Sequence, residues 1–155
     1  MKRLLTMMLV LMLCMAAGAQ SAKELYAEGK AFYDAEQYDK AVPKLKVAAD
    51  KGHRKAQYRL GMCYKEGYSV AKDRKKAVDL FMKSAKQGYA KAQYQLGRAY
   101  MKGKGVAADQ AKAKSWLKKA VSDEKNGKEI LDKIRKKAAE GDEDAKAMLA
   151  LLGKK

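Results

Sequence analysis

Two nearly identical stretches of twelve residues dominate this sequence. AQYRLGMCYKEG begins at Ala56 and AQYQLGRAYMKG begins at Ala92, a separation of 36 residues. When residues 52–87 are laid over residues 88–123, fifteen positions are identical. A period in the mid-thirties, with two amphipathic helical patterns in each unit, is typical of a solenoid of helix-turn-helix repeats. The sequence therefore predicts an all-α fold built from stacked helical hairpins.

The first helix of each unit carries its apolar residues at intervals of four. Ala56, Leu60 and Tyr64 share one helical face, which we expect to be buried. Gly61 and Gly97 lie beside the leucines inside the helix, where glycine costs about 1 kcal/mol relative to alanine. We interpret them as spacers, because a missing side chain lets the second helix approach closely.

The ends of the helices are also marked in the repeat. Gly67 and Gly103 follow the last periodic residue and suit a left-handed helix end, whereas Asp73 and Asp109 precede the next amphipathic run and suit its N-cap. The second helix is predicted to bury one apolar face in each unit. Its residues are Ala77, Leu80, Phe81 and Ala85 in one copy and Ala113, Trp116, Leu117 and Val121 in the other.

The full repeat pattern is A-x-x-x-L-G-x-x-Y-x-x-G-x-x-V-x-x-D-x-x-K-A, and it runs over residues 56–77 and again over 92–113. It resembles the Sel-one-like repeat, a relative of the tetratricopeptide repeat. The second copy has the G-x-G-V turn of that family, whereas the first copy has Ser69 in place of the second glycine. The resemblance implies a right-handed superhelical solenoid of helix-turn-helix repeats.

The sequence before the repeats resembles the parent tetratricopeptide pattern. The matching residues are Leu25, Gly29, Phe32, Ala41, Leu45 and Ala48. Pro43 is expected in the first turn of the second helix of this unit, where a missing amide donor costs little. After the repeats, residues 126–140 are expected to form a capping helix. Gly141, Ala145 and Leu149 then reproduce the spacing that begins a repeat.

These patterns divide the chain into five parts. They are a signal peptide at residues 1–19, a tetratricopeptide-like unit at 20–51, Sel-one-like repeats at 52–87 and 88–123, and a degenerate half repeat with a C-terminal cap at 124–155.

The N-terminus has the composition of a secretory signal peptide. Lys2 and Arg3 precede an apolar run too short to span a membrane, and small residues precede the expected cleavage after Ala19. A lipid on Cys14 is the disfavoured alternative, because the preceding Leu13 is large. We expect export to the periplasm or secretion from a bacterium. Cleavage would lower the formal net charge only from +17 to +15.

The residues that usually carry chemistry are scarce. Cleavage would leave Cys63 without an intrachain partner, so it is either buried as a small hydrophobe or paired with another molecule. The single histidine, His53, is expected to be a solvated turn residue. One histidine and one cysteine do not provide a zinc site or a Cys-His dyad. The sequence predicts no enzyme activity, no cofactor, no metal and no small-molecule substrate.

What remains as a candidate site is a surface. In tetratricopeptide proteins the first helices line a concave groove, and the resemblance places basic residues, tyrosines and methionines on that face. Such residues suit a protein or peptide partner. The predicted groove residues are Tyr26, Lys30, Tyr33, Lys55, Tyr58, Met62, Lys91, Tyr94, Arg98 and Met101, joined by Lys23 and Lys65.

Two alternatives stay open for this surface. Tyr58 and Tyr94 could be packing residues, with the lysines simply solvated. The leading hypothesis is an exported, non-enzymatic cell-envelope adaptor that docks an acidic protein or peptide in the groove. The alternative is a diffuse binder of polyanions such as anionic lipid, acidic glycan or nucleic acid, because the chain is so basic.

Overall fold

The computed structural model describes residues 20–154, and all of its regular structure over that range is helical. Consecutive helices pack in pairs, which confirms the all-α prediction and is consistent with a helical solenoid. The predicted signal peptide lies outside the described residues. The helices are α1 (Ala22–Asp34), α2 (Tyr38–Asp50), α3 (Arg54–Glu66), α4 (Arg74–Lys86), α5 (Ala90–Lys102), α6 (Gln110–Val121), α7 (Gly127–Ala139) and α8 (Glu143–Leu152).

The glycines inside the first helices are spacers, as predicted. A Cβ atom on Gly61 would lie 2.7 Å from Cε1 of Phe81, and one on Gly97 would lie 2.6 Å from Cγ of Leu117. Carbon atoms that are not bonded prefer about 3.5–4.0 Å. The twelve-residue stretch therefore contains glycine because the large apolar residue of the second helix occupies the space of a side chain.

The predicted helix ends are also confirmed. Gly67 and Gly103 end α3 and α5 in the left-handed conformation, with φ of 88° and 63°. The side chains of Asp73 and Asp109 accept hydrogen bonds of 2.9 Å from backbone amides in the first turns of α4 and α6. Each repeat thus ends its first helix with a left-handed glycine and begins its second helix with an aspartate N-cap.

The inter-helix turns differ at one position. Gly105 has a φ of 79°, and Ser69, its counterpart in the first repeat, takes the left-handed φ of 51°. A Cβ atom on Gly105 would lie 2.3 Å from the carbonyl oxygen of Arg74. Glycine is therefore required in the second repeat by a contact with the preceding one, whereas Ser69 is exposed and accommodates a side chain.

Buried side chains form three clusters along the stack. The N-terminal cluster includes Leu45 and Cys63, the central cluster Phe81 and Leu96, and the C-terminal cluster Ile134. Trp116, predicted to lie in the inter-helix core, is half-buried and packs against the central cluster. Each cluster includes residues of consecutive hairpins, as expected for a solenoid in which neighbouring units supply the core.

In each Sel-one-like unit, one buried glutamine makes a hydrogen bond to the helix that precedes the unit. Nε2 of Gln57 in α3 donates to the carbonyl oxygen of Ala49 in α2 at 3.2 Å. Nε2 of Gln93 in α5 donates to the carbonyl oxygen of Ala85 in α4 at 3.3 Å. The same side chain therefore makes the same side-chain-to-backbone bond at successive units.

The expected position of Pro43 was wrong. Helix α2 begins at Tyr38, so Pro43 is its sixth residue and lies in the second turn rather than the first. The ring of Tyr38, the first residue of this helix, stacks on Tyr68, with centroids 4.3 Å apart. The proline removes the amide that would bond to the carbonyl of Asp39, but its ring faces outward and is exposed.

The chain closes with the two helices expected from the sequence. Helix α7 buries Ile130 and Ile134, and α8 buries Ala145, Met148 and Leu152. Both helices contact α6 and complete the C-terminal cluster. Leu149, the residue used to recognise the half repeat, is only half-buried.

Candidate functional site

The predicted groove residues occupy matching positions on three helices. Tyr26, Tyr58 and Tyr94 are each the fifth residue of their helix, in α1, α3 and α5. Lys30, Met62 and Arg98 share the ninth position, and Tyr33, Lys65 and Met101 share the twelfth. The three tyrosines are all half-buried. The structure thus gives the tyrosines equivalent places in successive units.

The two central tyrosines also take part in packing. The ring of Tyr58 lies 5.2 Å from that of Tyr89 and 5.9 Å from that of Phe81, measured between centroids. Tyr94 packs against the C-terminal cluster. Burial raises the pKa of both phenols, and for Tyr58 a hydrogen bond with Gln95 opposes the shift. Each side chain therefore contributes to the core with one part and to the surface with another.

His53 is not the solvated turn residue that the sequence suggested. It is the N-cap of α3, its Nδ1 accepts from the amide of Ala56 at 3.3 Å, and its ring stacks on Tyr26 with centroids 4.3 Å apart. Burial lowers the pKa of the imidazole, and the charges of Lys55 and Arg54 act in the same direction. The neutral ring is thus used both as a cap and as a stacking partner.

Arg59 is a surface residue that the sequence reasoning missed. Its guanidinium lies 4.7 Å from the ring centroid of Tyr33, and its Nη1 lies 3.0 Å from the carboxylate of Asp34. Burial disfavours the charge on Arg59, but hydrogen bonding to Tyr26 and the charge of Asp34 raise its pKa overall. It therefore joins α3 to α1. The available signal was its helical spacing, since it lies four residues after Lys55.

The remaining predicted residues fall into two groups. Lys30, Lys55 and Lys23 are exposed, and Lys30 pairs with Asp34. Five others are half-buried. Among them, Lys65 pairs with Glu66 at 2.7 Å, and the guanidinium of Arg98 lies 5.8 Å from the ring centroid of Tyr94. Lys91 lies 3.8 Å from Glu129 of α7, Met62 packs against the central cluster, and Met101 packs against both the central and C-terminal clusters.

Cys63 is fully buried in the N-terminal cluster. Burial raises the pKa of its thiol to about 11. Of the two alternatives given by the sequence, the folded chain has the first, a small buried hydrophobe. The thiolate needed for exchange with another molecule is therefore strongly disfavoured in this state.

A cavity of about 240 Å³ lies between the two Sel-one-like units. Its floor is apolar, formed by Ala77, Val78 and Phe81 of α4 with Ala99 of α5. Its rim is strongly basic. The rim residues are Lys65, Glu66, Lys72, Arg74, Gln95, Arg98, Lys102 and Lys104. Six of these eight side chains are cationic and one is anionic, so the cavity has a positive field.

Within residues 20–154, no group of three or more His, Cys, Asp or Glu side chains is arranged to hold a metal ion. Over the same residues, no helix is long and apolar enough to cross a bilayer.

Comparison with known proteins identifies the family of this chain. The Sel1 repeat model matches residues 54–89 and 90–123. The crystal structure of a Sel1 repeat protein from Oxalobacter formigenes superposes on this chain with a TM-score of 0.61. The two sequences are 33% identical, and the alignment covers 72% of this chain and 88% of that chain. Among curated proteins, none matches.

A second solved structure is c5321, a protective antigen present in uropathogenic Escherichia coli strains and displaying an SLR fold. It is 31% identical, with a TM-score of 0.67, and the alignment covers 90% of this chain but only 31% of that protein. The chain described here belongs to the Sel1 repeat family, as the repeat pattern predicted. Sel1 repeats are generally protein–protein interaction modules, and the family is typically non-enzymatic.

Proposed function

We propose that this Sel1 repeat protein is an exported, non-enzymatic adaptor that binds an acidic protein or peptide along the basic, tyrosine-lined face of α1, α3 and α5. The observation that carries the proposal is the register of Tyr26, Tyr58 and Tyr94, which recur at the fifth position of these helices. Their half-buried rings are held by packing, so little side-chain entropy is lost when a partner covers them.

The cations on this face supply the preference for acidic partners. Lys23, Lys30 and Lys55 are exposed, and the guanidinium of Arg59 lies among the tyrosines. Exposed charges mainly raise the rate of encounter and select the sign of the partner, whereas partly buried aromatic side chains contribute most of the affinity. The proposed mechanism of recognition therefore separates the two roles by residue type.

The experiment is an affinity capture from the native cell envelope with three proteins. They are the wild type, the variant K23Q/K30Q/K55Q on the proposed face, and the matched control K83Q/K118Q/K119Q on α4 and α6. All six lysines are exposed, and each variant removes three charges. We expect a partner that is retained by the wild type and the control and lost by the face variant. Equal loss from both variants would reject the groove and favour diffuse attraction to polyanions.

Export is a separate part of the proposal and has its own test. The motif at residues 1–19 predicts cleavage after Ala19. N-terminal sequencing of the protein recovered from the envelope fraction should begin at Gln20. A protein that begins at Met1 and stays in the cytoplasmic fraction would contradict this part without affecting the interaction surface.

A further inference from the structure

The cavity between the two Sel-one-like units, here called the central cavity, is unusual in its charge. Lys65 pairs with Glu66 at 2.7 Å, and Lys102 pairs with Asp144 of α8. The other four rim cations are Lys72, Arg74, Arg98 and Lys104. Within residues 20–154, none of these four has a carboxylate oxygen within 4.0 Å. Four cations without a direct ion pair thus line one small space, and the nearest carboxylates, Glu66 and Asp144, have pKa values lowered first by their own lysine partners and further by these cations.

Arg98 has a hydrogen-bond donor that the folded chain leaves unused. Its Nε atom is buried and donates no hydrogen bond to the described residues. A buried donor without an acceptor is costly and rare in folded proteins. The same side chain lines the central cavity. A ligand oxygen that turns the guanidinium towards the cavity would therefore give Arg98 the partner it lacks.

The equivalent space between the first two hairpins is filled instead. Helices α1 and α3 and helices α2 and α4 match residue for residue, so Lys65, Arg74 and Lys104 correspond to Tyr33, Tyr38 and Tyr68. Those tyrosines pack on each other, with centroids 5.3 Å apart for the first pair and 4.3 Å for the second.

The ion pair between Arg59 and Asp34 closes the same region. Replacing the three tyrosines by Lys65, Arg74 and Lys104 removes apolar packing, and among the described residues only Lys65 of the three gains an ion pair.

We propose that the central cavity is a binding site for a compact polyanion with at least two negative charges, of the phosphate or carboxylate type. Its volume of about 240 Å³ gives room for a group the size of a diphosphate or a small tricarboxylate. Arginine recognises either group through paired hydrogen bonds, and the lysines add point charges. The apolar floor would accept a short carbon segment attached to the anion.

This site goes beyond the proposed function, because it needs no protein partner. The test is isothermal titration calorimetry of the full chain with inorganic pyrophosphate and, in a second arm, with citrate, at low ionic strength. We expect saturable binding of one anion per chain. The relative affinities of the two probes identify whether phosphate or carboxylate is the preferred source of charge.

Two cavity variants and one control keep the result specific. R98Q should weaken binding by about tenfold or more, because charged hydrogen bonds are lost. K65Y/R74Y/K104Y, which installs the tyrosines of the first junction, should abolish it. The control K128Q/K133Q/K137Q removes three exposed charges from α7 and should change the affinity less than about threefold, since exposed charges contribute little.

Circular dichroism would show that each variant is folded, and R98Q serves as the test if the triple tyrosine variant is not. The proposal is overturned if neither probe binds saturably, or if the α7 control loses as much affinity as R98Q. Because no partner protein is involved, either failure leaves the groove of α1, α3 and α5 to be judged by its own capture experiment.

Discussion

The two junctions between the first three hairpins have the same backbone plan and opposite contents. The flanking hairpins are built alike, since the first and the second each place a glycine of the first helix against a large residue of the second, Gly29 against Leu45 and Gly61 against Phe81. The first junction is then filled by stacked tyrosines, whereas the second keeps a cavity lined with lysine and arginine. The repeat architecture is thus set by a few positions that the hairpins share, and the residues at the junctions between them are free to differ.

The largest effect is expected where the hairpins are alike. Gly61→Leu and Gly97→Leu should each lower the free energy of unfolding by about 3 kcal/mol, because the new side chain would overlap Phe81 or Leu117. Thermal and urea unfolding measure the loss, and Lys118→Leu, on the exposed side of α6, is the control. If only one glycine variant is destabilised, Gly61 and Gly97 do not have equivalent roles, and the hairpins are not built alike.

Partner binding should depend on the face that crosses both junctions. Truncating Tyr58 and Tyr94 together to alanine should cost on the order of 2 kcal/mol or more of binding free energy if they are hot spots. Lysines of the second helices, such as Lys83 or Lys119, should cost under about 1 kcal/mol each.

Titration of the captured partner gives these values, and a melting curve for every variant separates them from lost folding. That control matters because Tyr58 contacts Phe81 and Tyr89 in the central cluster. Equal binding losses from the tyrosines and the outer lysines would reject the groove.

Exchanging one residue between the junctions should have unequal consequences. Tyr68→Lys should destabilise the protein by about 1–2 kcal/mol, because it removes the stacking of Tyr68 on Tyr38 and its apolar contacts. The reverse exchange, Lys104→Tyr, adds a ring to an exposed turn and should stay within about 0.5 kcal/mol. Urea unfolding of both variants makes the comparison, and similar losses would show that the two junctions are packed alike.

The smallest effect concerns pH at the entrance to α3. The pKa of His53 is lowered in the folded chain, so the unfolded chain takes up a proton first, near the ordinary value of 6.5. The contribution of His53 to the free energy of unfolding should therefore be fully present above that value and decrease as the pH drops below it. A protonated ring cannot accept the hydrogen bond from the amide of Ala56. Melting temperatures at about pH 8 and about pH 5.5 measure this.

His53→Asn is the matched variant for this prediction, since asparagine keeps a capping acceptor and does not titrate. Its melting temperature should change less over the same interval. An unchanged pH dependence would assign the effect to other groups.

The sequence was sufficient for features that repeat and insufficient for features that differ between repeats. Gly61, Gly97, Asp73 and Asp109 were assigned correct roles, because a periodic pattern shows each role twice. Pro43 was misplaced because α2 begins after Gln37, which makes no side-chain capping hydrogen bond, so the sequence carries no clear start signal there.

The surface shows the same division. The tyrosine register was visible in the sequence, but Arg59 was overlooked because its importance comes from Tyr33 and Asp34 of another helix. The central cavity was missed because its cations come from α3, α4, α5 and two turns. Only their three-dimensional arrangement turns scattered lysines into a site, and the export motif at residues 1–19 remains a prediction.

The hydrogen bonds of Gln57 and Gln93 have a consequence for how such a chain can grow. Each glutamine belongs to the incoming unit, and what it needs from the preceding helix is a carbonyl oxygen, which every amino acid supplies. A duplicated unit therefore brings this hydrogen bond with it, whatever residue supplies the carbonyl. When whole units are inserted or lost, the apolar contacts of the buried clusters are the part that must match between new neighbours.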